Sequence, residues 1–361
     1  MVDVIKPQPG ATICDAACGT GGFILASHDH ISKHFSLDIE QKKSLRSRTF
    51  KGWEIVDNAA RLCVMNLYLH GIGGEESPII VADALASDPG ERFDVVLTNP
   101  PFGKKSSYTI VNGEGKADKD SQTYERQDFW ATTSNKQLNF LQHVKTLLKI
   151  NGKAAIVVPD NVLFEGGAGE TVRRKLLQEC DVHTLLRLPT GVFYAQGVKA
   201  NVLFFDRKPA SEKPWTEKLW IYDLRTNQHF TLKTNTLKYE NMADFIKCYN
   251  PDNRFERKES DRFRGFTYNE LMQRDKVSLD IFWLKDDSLE DSENLPDPDT
   301  IAKDIAENLE DALEQFRSIQ EDLAQPIGAS KLISSIITIS IIFFMEGFLP
   351  RSFHAAAQYS S

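Results

Sequence analysis

The chain contains 361 residues, of which 41% are hydrophobic and 26% are charged, a balance that is typical of a globular protein with a sizeable core. Its formal net charge of −8 and its pI near 5.6 exclude a protein that holds nucleic acid through a global positive field. Any contact with nucleic acid then needs a local basic patch or a partner that contacts the phosphates. The five cysteines are scattered and the first ten residues lack the apolar run of a signal peptide, so we expect a cytoplasmic protein.

Residues 11–206 alternate short apolar runs with helical patterns, which predicts an α/β domain. The apolar runs predict seven strands, at residues 11–14, 51–55, 79–82, 93–98, 154–158, 183–188 and 202–206. Helical periodicity is found around residues 57–70, 137–148 and 170–179. Between the fourth strand and the second of these helices, residues 103–135 form a polar stretch too long for a simple connection. It predicts a mobile functional loop rather than a regular element.

The chain beyond residue 206 is less regular. Residues 207–214 predict a linker or exposed turn, and the apolar runs at 219–224 and 230–233 predict an extra hairpin. Charge, Asn and Pro are frequent in residues 250–300, which indicates an irregular surface or a partner-binding arm. Residues 300–323 predict an amphipathic helix that packs on its own domain or docks on a partner, because apolar side chains recur at 301, 305, 309, 312, 313, 316 and 319.

The C-terminal segment changes in composition. Its apolar run, LISSIITISIIFFM, is shorter than the ~18–20 residues that a membrane span needs, and it lacks flanking positive clusters. We therefore expect an aggregation-prone tail of foreign origin rather than a membrane span. These patterns divide the chain into a main domain, an extension, a helix and a tail, at residues 1–210, 211–299, 300–325 and 326–361.

An acid and a glycine-rich turn follow the first predicted strand, in a motif that consists of Asp15, Ala16, Ala17, Cys18, Gly19, Thr20, Gly21, Gly22 and Phe23. Glycines let the backbone approach a ligand closely, and the N-terminus of the helix expected next favours a carboxylate. The acid can bind a ligand amine or hydroxyl. The glycine spacing matches neither the dinucleotide pattern nor the phosphate loop, so phosphate binding is disfavoured. A tight strand–helix connection without any ligand is the alternative.

Two further acids end the next two predicted strands. Glu54, followed by Ile55, ends the second strand, where doubly wound folds bind ribose hydroxyls with a carboxylate. Asp83, followed by Ala84, comes after the third strand and could accept a hydrogen bond from an adenine amino group. Each acid alone is also explained as a solvated strand end. As a row at successive strand ends, they lie where the crevice of an α/β sheet binds its ligand.

The fourth motif, Asn99-Pro100-Pro101-Phe102, directly follows a buried strand. The two prolines remove two backbone donors and hold the chain extended. The amide oxygen of Asn99 and the carbonyl of Pro100 can then accept hydrogen bonds from one NH₂ group. Such acceptors draw a conjugated amine toward sp³ geometry and expose its lone pair for attack on a methyl sulfonium, which is electrostatic preorganisation. Phe102 offers a face for stacking of a flat ring. A strand followed by a proline-rich turn is the alternative.

These motifs occur in the order found in amino-methyltransferases, and longer stretches resemble the modification subunits of type I restriction–modification systems. The stretches are WEIVDNAARLCVMNLYLHGIG, LTNPPFG, VVPDNVLFEGGAGETVRRKLL and LPTGVFYAQGVKANVLFFD, within a resemblance that covers about residues 4–325. That family contains S-adenosylmethionine-dependent adenine-N6 DNA methyltransferases. The resemblance implies a Rossmann-like class I methyltransferase fold, with a doubly wound, seven-stranded, mostly parallel sheet and a C-terminal extension that ends in a helix.

The resemblance also implies ligands, site residues and partners. S-adenosylmethionine would be held by Asp15, Cys18, Gly19, Thr20, Gly21, Gly22, Phe23, Glu54, Ile55, Asp83 and Ala84. A flipped-out adenine of DNA would be held by Asn99, Pro100, Pro101 and Phe102. Phosphate contacts would fall to Lys104, Lys105, Arg173, Arg174 and Lys175, with a solvated surface as the alternative for each. The implied partners are a specificity subunit, a second modification subunit and, in the full complex, the restriction subunit, with no membrane.

The sequence departs from this family in two ways. Ala16 stands where the family usually has proline, which loosens the turn without removing a ligand group. The family also carries a helical N-terminal domain and a cofactor-binding segment ahead of the position where this chain starts, so we expect one wall of the cofactor pocket to be missing. A non-catalytic subunit or fragment that docks a partner is therefore one alternative. A protein glutamine-N5 methyltransferase is another, although such enzymes typically have tyrosine in place of Phe102.

Overall fold

The computed structural model describes residues 1–103, 107–111, 117–121, 123–193, 199–228, 230 and 235–285, with residues 107–111 and 117–121 described by their backbone alone. Residues 1–287 form one compact unit. The predicted helix at 300–325 and the tail at 326–361 lie outside the described residues. The predicted domain boundaries stay predictions.

The described strands are, in chain order, β1 (Ile13–Asp15), β2 (Phe50–Glu54), β3 (Ile79–Val81), β4 (Phe93–Thr98), β5 (Ser107–Val111), β6 (Ala117–Ser121), β7 (Leu148–Pro159), β8 (Cys180–Arg187), β9 (Ala200–Arg207), β10 (Lys218–Asp223) and β11 (Phe263–Thr267). All except β5 and β6 join one sheet, in the order β11-β10-β8-β9-β7-β4-β1-β2-β3. The seven predicted strands correspond to β1–β4 and β7–β9. The α/β class is confirmed, and the sheet has nine strands where seven were predicted.

Most neighbours in this sheet are parallel. The parallel pairs are β1 with β2, β1 with β4, β2 with β3, β4 with β7, and β8 with β10. β9 runs antiparallel to both β7 and β8, and β11 runs antiparallel to β10. The carboxyl ends of β1–β4, β7, β8 and β10 therefore lie at one edge of the sheet, which is the edge where ligands bind in doubly wound folds.

The predicted hairpin at 219–224 and 230–233 is wrong in its pairing. The first run forms β10, which pairs in parallel with β8, so that Ile221 lies opposite Leu185. The other neighbour of β10 is β11, from the region predicted to be irregular. Leu219, Ile221 and Tyr222 are all buried, so both faces of β10 are covered, as a strand inside a sheet requires. Residues 231–234 lie outside the described part of the chain.

Helices cover both faces of the sheet. They are α1 (Val2–Ile5), α2 (Gly22–His34), α3 (Ile39–Ser47), α4 (Asp57–Leu69), α5 (Lys136–Leu147), α6 (Asn161–Phe164), α7 (Ala168–Glu179), α8 (Ala243–Tyr249) and α9 (Tyr268–Gln273). Val96 of β4 packs with α5 and α7 on one face, whereas Val95 and Leu97 pack with α2, α4 and α8 on the other. This alternation is the period-two pattern of a strand buried on both sides. None of the described helices is long and apolar enough to cross a membrane.

The polar stretch at 103–135 is more regular than predicted. Its β5 and β6 pair as an antiparallel hairpin. After residue 122 the chain returns to the core, where Tyr124 is buried and Phe129 and Trp130 pack against the α5 face. Asn135 then caps α5 by accepting hydrogen bonds from two backbone N–H groups. Aromatic anchors and a helix cap therefore order the end of this stretch, and the prediction of a loop without regular structure is wrong for its described part.

Candidate functional site

Four polar side chains lie at the carboxyl edge of four neighbouring strands. Asp15 ends β1, Glu54 ends β2, Asp83 lies two residues beyond β3, and Asn99 directly follows β4. These strands are parallel and adjacent, in the order β4-β1-β2-β3, and neighbouring strands lie ~4.8 Å apart. The structure therefore brings the predicted cofactor acids and the predicted base-binding motif to one crevice edge.

Asp15 is the most deeply buried of these acids, with 2% of its surface exposed. Its Oδ1 atom accepts a hydrogen bond of 3.1 Å from the N–H group of Ala17. Burial raises the pKa of its carboxyl to about 7; the charge of Glu54 adds to the rise, and the contacts with Thr98 and Ala17 oppose it. A cationic ligand group would favour the charged form of this carboxyl and compensate for the hydration lost on burial. Asp15 is therefore suited to bind an ammonium group.

The glycine-rich turn and the end of β2 are joined by the carboxylate of Glu54. Its Oε2 atom accepts from the N–H group of Gly19 at 2.9 Å, and its Oε1 atom accepts from that of Val56 at 2.9 Å. The φ angles of Gly19 and Gly21 are +51° and +87°, a region that side chains other than glycine rarely adopt. A Cβ atom at Gly21 would also lie 2.9 Å from Sγ of Cys63 on α4. Glycine is thus required at Gly21 by both conformation and space.

Asp83 is held by one backbone group and one distant side chain. Its Oδ1 atom accepts from the N–H group of Leu85 at 2.9 Å, and its Oδ2 atom accepts from the hydroxyl group of Tyr124 at 2.7 Å. The buried Tyr124 comes from the end of the polar stretch and so connects that stretch to the carboxyl edge of the sheet. Of the other predicted cofactor residues, Cys18 and Ala84 are buried, Phe23 is partly buried, and Thr20, Gly22 and Ile55 are exposed.

The Asn99–Phe102 motif lies beside this row, at the end of β4. Asn99 is exposed, Pro100 is buried and Phe102 is partly buried. The ring of Phe102 meets that of Phe193 edge to face, with 5.5 Å between centroids and an interplanar angle of 89°. In an edge-to-face pair, the edge of one ring contacts the face of the other, which restricts the orientation of both rings. Phe193 comes from the segment between β8 and β9, so two separate segments supply aromatic surface beside Asn99.

The buried side-chain amide of Gln137 binds the backbone of the Asn99–Phe102 motif and of the residue after it. Gln137, in the first turn of α5, donates from its Nε2 atom to the carbonyl oxygens of Pro101 and Gly103, at 3.3 and 2.6 Å. A partly buried ion pair lies further along the same sheet edge. Arg225, just after β10, donates two hydrogen bonds of 2.8 and 2.9 Å to Asp160, just after β7. Arg225 also donates from Nε to the carbonyl oxygen of Leu188, beyond the end of β8.

Sequence reasoning gave no role to Tyr124, Gln137, Asp160 or Arg225, and it included Asp160 and Phe193 only within the longer stretches that carry the resemblance. For Gln137 a signal was present, because a polar residue occupies a position next to the apolar stripe of α5. Asp160 directly follows a strand, which is the placement that singled out the other acids. For the tyrosine and Arg225 the sequence holds no motif that pairs them with residues so distant along the chain.

Part of the predicted basic surface is wrong. Arg173 is 1% exposed, and its guanidinium donates to the backbone carbonyls of Val162, Glu165, Lys276 and Val277, so it braces the fold and does not reach phosphate. Two other predicted groups pair with acids one turn away: Arg174 with Glu170 and Lys175 with Glu179. Lys104 and Lys105 lie outside the described residues. No group of three or more metal-ligating side chains is found within the described ranges.

A family model described as "N-6 DNA Methylase" matches residues 1–282. Among curated proteins, the methylase subunit of the type I restriction enzyme EcoKI from Escherichia coli K12 is 35% identical over 365 positions, which cover 90% of this chain and 66% of that protein. The methylase subunit of StySPI from Salmonella potsdam is 34% identical with the same coverage. The chain thus spans slightly less than two thirds of the length of these relatives.

Solved structures agree with the sequence match. The crystal structure of the EcoKI M protein is similar with a TM-score of 0.70 and 33% identity, over 90% of this chain and 71% of that one. The family match contains the sheet edge where Asp15, Glu54, Asp83 and Asn99 meet, because it extends through all of β1–β11. With a family model that matches 282 of its 361 residues, the chain belongs to the N-6 DNA methylase family.

Proposed function

We propose that this chain transfers the methyl group of S-adenosylmethionine to N6 of adenine in DNA, as the modification subunit of a type I restriction–modification complex. The observation that carries the proposal is the adjacency of β1 and β4. It sets Asp15, a buried acid suited to an ammonium group, on the strand next to the one that Asn99-Pro100-Pro101-Phe102 follows. A cofactor and a target base bound at these two places would share one crevice.

The residues at the edge fit S-adenosylmethionine. Asp15 would bind its ammonium group, Glu54 its ribose hydroxyls and Asp83 its adenine amino group, while the turn at Gly19 and Gly21 admits a close approach of the ligand. Support comes from the placement of the three acids on successive parallel strands and from their hydrogen bonds to backbone N–H groups. When bound, S-adenosylmethionine would supply an electrophilic methyl group, which the adenine amine takes with the loss of one N6 proton.

The Asn99–Phe102 motif would prepare the amine. The side-chain oxygen of Asn99 and the carbonyl oxygen of Pro100 would each accept one N6 hydrogen, and this turns the nitrogen lone pair out of the plane of the ring. Phe102 would stack on the base. Phe193, edge-on to Phe102, would limit the positions that the stacked ring can adopt. The exposure of Asn99 leaves its amide accessible to a base that has been flipped out of the helix.

Recognition of the DNA sequence would fall to partners. The net charge of −8 gives this chain no global positive field for DNA, and Arg174 and Lys175 pair with neighbouring acids, so partners would supply phosphate contacts. The relatives are named as subunits of type I restriction enzymes. A solved structure from work on the complex assembly of the type I R-M system is also similar, with a TM-score of 0.65 and 28% identity, over 91% of this chain and 65% of that one. We infer a specificity subunit, a second modification subunit and a restriction subunit as partners, in the cytoplasm.

Methyl transfer with the cognate specificity subunit tests the proposal. DNA is incubated with the two subunits and methyl-labelled S-adenosylmethionine, and its nucleosides are separated. We expect label in N6-methyladenine, its loss in Asn99→Ala, and its retention in Asn269→Ala, which changes an exposed residue of α9. Label in protein glutamine would favour the alternative enzyme. Cofactor binding without any transfer would favour a non-catalytic subunit.

A further inference from the structure

One buried amide bridges the backbone on either side of Phe102. The Nε2 atom of Gln137 lies 2.6 Å from the carbonyl oxygen of Gly103 and 3.3 Å from that of Pro101. Both partners are acceptors, so the group between them is the NH₂ end of the amide, which has two hydrogens to donate. A single side chain thus holds two carbonyl groups that are two residues apart.

Gln137 is itself firmly placed. It is 3% exposed and lies in the first turn of α5, where its N–H group donates to the Asn135 cap at 3.0 Å. The cap in turn donates from its Nδ2 atom to Glu165 at 2.8 Å. Directly after it, Leu138 and Leu141 are fully buried in the core against the sheet. Because α5 is packed in the core, the hydrogen bonds from Gln137 restrain the loop after β4 relative to that helix.

The two hydrogen bonds constrain the dihedral angles that remain free in the motif. The ring of Pro101 already restricts its φ to about −65°, and the bond to its carbonyl oxygen fixes its ψ. Gly103 would otherwise be the most mobile residue of the segment, and its carbonyl is also held. Phe102 lies between the two fixed carbonyls, so its ring keeps its orientation toward Phe193. The nitrogen of Pro101 belongs to the peptide plane that carries the carbonyl of Pro100, so the restraint on φ and ψ of Pro101 also limits the movement of that plane.

The other end of the amide points to a role beyond stability. The Oε1 atom of Gln137 is buried and finds no hydrogen-bond donor among the described residues. A buried acceptor without a donor is destabilising, and an apolar side chain of the same length would avoid that penalty. The presence of glutamine at position 137 is therefore explained by the two hydrogen bonds that its NH₂ group donates to Pro101 and Gly103.

We propose that Gln137 is a positioning residue for methyl transfer, which fixes the carbonyl of Pro100 and the ring of Phe102 in the geometry that the target adenine needs. This inference rests on the proposed function, because it assigns these two groups to the base. The hydrogen bonds of the Gln137 side chain with described residues go to Pro101 and Gly103, and not to Asp15, Glu54 or Asp83. Its removal should therefore affect the chemical step and the target base, and should leave S-adenosylmethionine binding unchanged.

The test compares two glutamines of the same helix. Gln137→Met keeps the length of the side chain and removes both donors. Gln142→Met is the matched control: this residue is 1% exposed, donates to the carbonyl oxygen of Ala131 at 3.1 Å, accepts from its N–H group at 2.9 Å, and contacts neither Pro101 nor Gly103 in these bonds. Both variants are measured with the specificity subunit, at a temperature where circular dichroism shows them to be folded.

We expect Gln137→Met to lower kcat by roughly 10- to 100-fold, the range that a displacement of ~1 Å produces at a reacting centre, and to change the Kd for S-adenosylmethionine by less than about threefold. Gln142→Met should lower the Tm and leave kcat within about threefold of the parent. A purely structural role for Gln137 would instead lower the Tm of both variants and leave both kcat values alike. That result would overturn the inference.

A second readout does not depend on turnover. A single 4-fluorophenylalanine at position 102 gives one ¹⁹F resonance that reports the environment of that ring. In the labelled Gln137→Met variant we expect this resonance to shift or split, whereas in the labelled Gln142→Met variant it should be unchanged. If the parent chain shows no methylation at all, the proposed function fails while the ¹⁹F result still decides whether Gln137 holds the ring. An unchanged resonance in both variants would refute the positioning role.

Discussion

Replacement of Asp15 by asparagine should stabilise the free protein at alkaline pH and weaken the proposed binding of the ammonium group of S-adenosylmethionine. Burial raises the pKa of the Asp15 carboxyl in the folded chain to about 7, against a usual value of 3.8. The folded state therefore holds a proton that the unfolded state has lost between these two pH values. Stability falls as pH rises through that window, and the full loss is present above pH 7.

The size of the effect follows from the shift of about three pKa units. At about 1.4 kcal/mol per unit, the raised pKa of Asp15 destabilises the folded chain by roughly 2 kcal/mol at pH 5, where only the unfolded state is ionised, and by about 4 kcal/mol at pH 8, where both states are ionised. An asparagine has nearly the same shape, carries no charge, and can still accept the hydrogen bond from Ala17. Asp15→Asn should then raise the free energy of unfolding by roughly 2–3 kcal/mol more at pH 8 than at pH 5.

Urea denaturation of both proteins at the two pH values measures this difference. Burial lowers the pKa of His143 to about 3 and that of His183 to about 4, and both contribute equally to the two proteins, so the comparison isolates Asp15. S-adenosylmethionine binding should fall by at least about 100-fold in the variant, as expected when a charged partner is lost from a buried site. If the two unfolding free energies differ by the same amount at pH 5 and pH 8, the burial argument for Asp15 is wrong.

Three further substitutions probe the rest of the edge. Tyr124→Phe removes the donor to Asp83 and should weaken S-adenosylmethionine binding by roughly 3- to 10-fold, as one hydrogen bond is lost; calorimetry that shows equal affinity would contradict this. Gly21→Ala should lower the Tm more than Gly10→Ala, because both φ angles are positive but only the first added Cβ meets a neighbour. Asp160→Ala removes the charged partner of the partly buried Arg225, which keeps its bonds to the carbonyls of Leu188 and Ala200, and should destabilise by about 1.5–3 kcal/mol in urea; a change below about 0.5 kcal/mol would count against the pair.

Most individual strands and helices could be predicted from the sequence, because the spacing of apolar residues in each segment reflects how that segment is buried. In β4 the residues Val95, Val96 and Leu97 are apolar without alternation, and such a run is typical of a strand that is covered on both faces. Long-range pairing was not accessible. β10 joins the sheet beside β8, and β11 completes it from 40 residues further on, inside a segment rich in charge and turn-forming residues. Nothing in the composition of β10 distinguishes an inner strand from one arm of a hairpin.

The site was predictable to the extent that its groups follow strands. Asp15, Glu54, Asp83 and Asn99 each come at the end of an apolar run, so the parallel sheet brings them together without further information. Their supporting partners come from other parts of the chain and carry no motif. The error at Arg173 has a plainer cause, because this residue lies on the helical face of α7 that also buries Leu176 and Leu177, and a basic letter alone does not reveal that it points inward.

Calorimetric titration of S-adenosylmethionine into the purified chain, with Asp83→Ala as control, tests the central claim most directly. The claim is that the acids at the ends of β1, β2 and β3 form a working cofactor crevice within this chain. It predicts saturable binding by the parent protein and binding at least tenfold weaker in the variant, since Asp83 would hold the adenine amino group. A folded, monodisperse parent that does not bind S-adenosylmethionine, or a variant that binds it equally well, would contradict the claim.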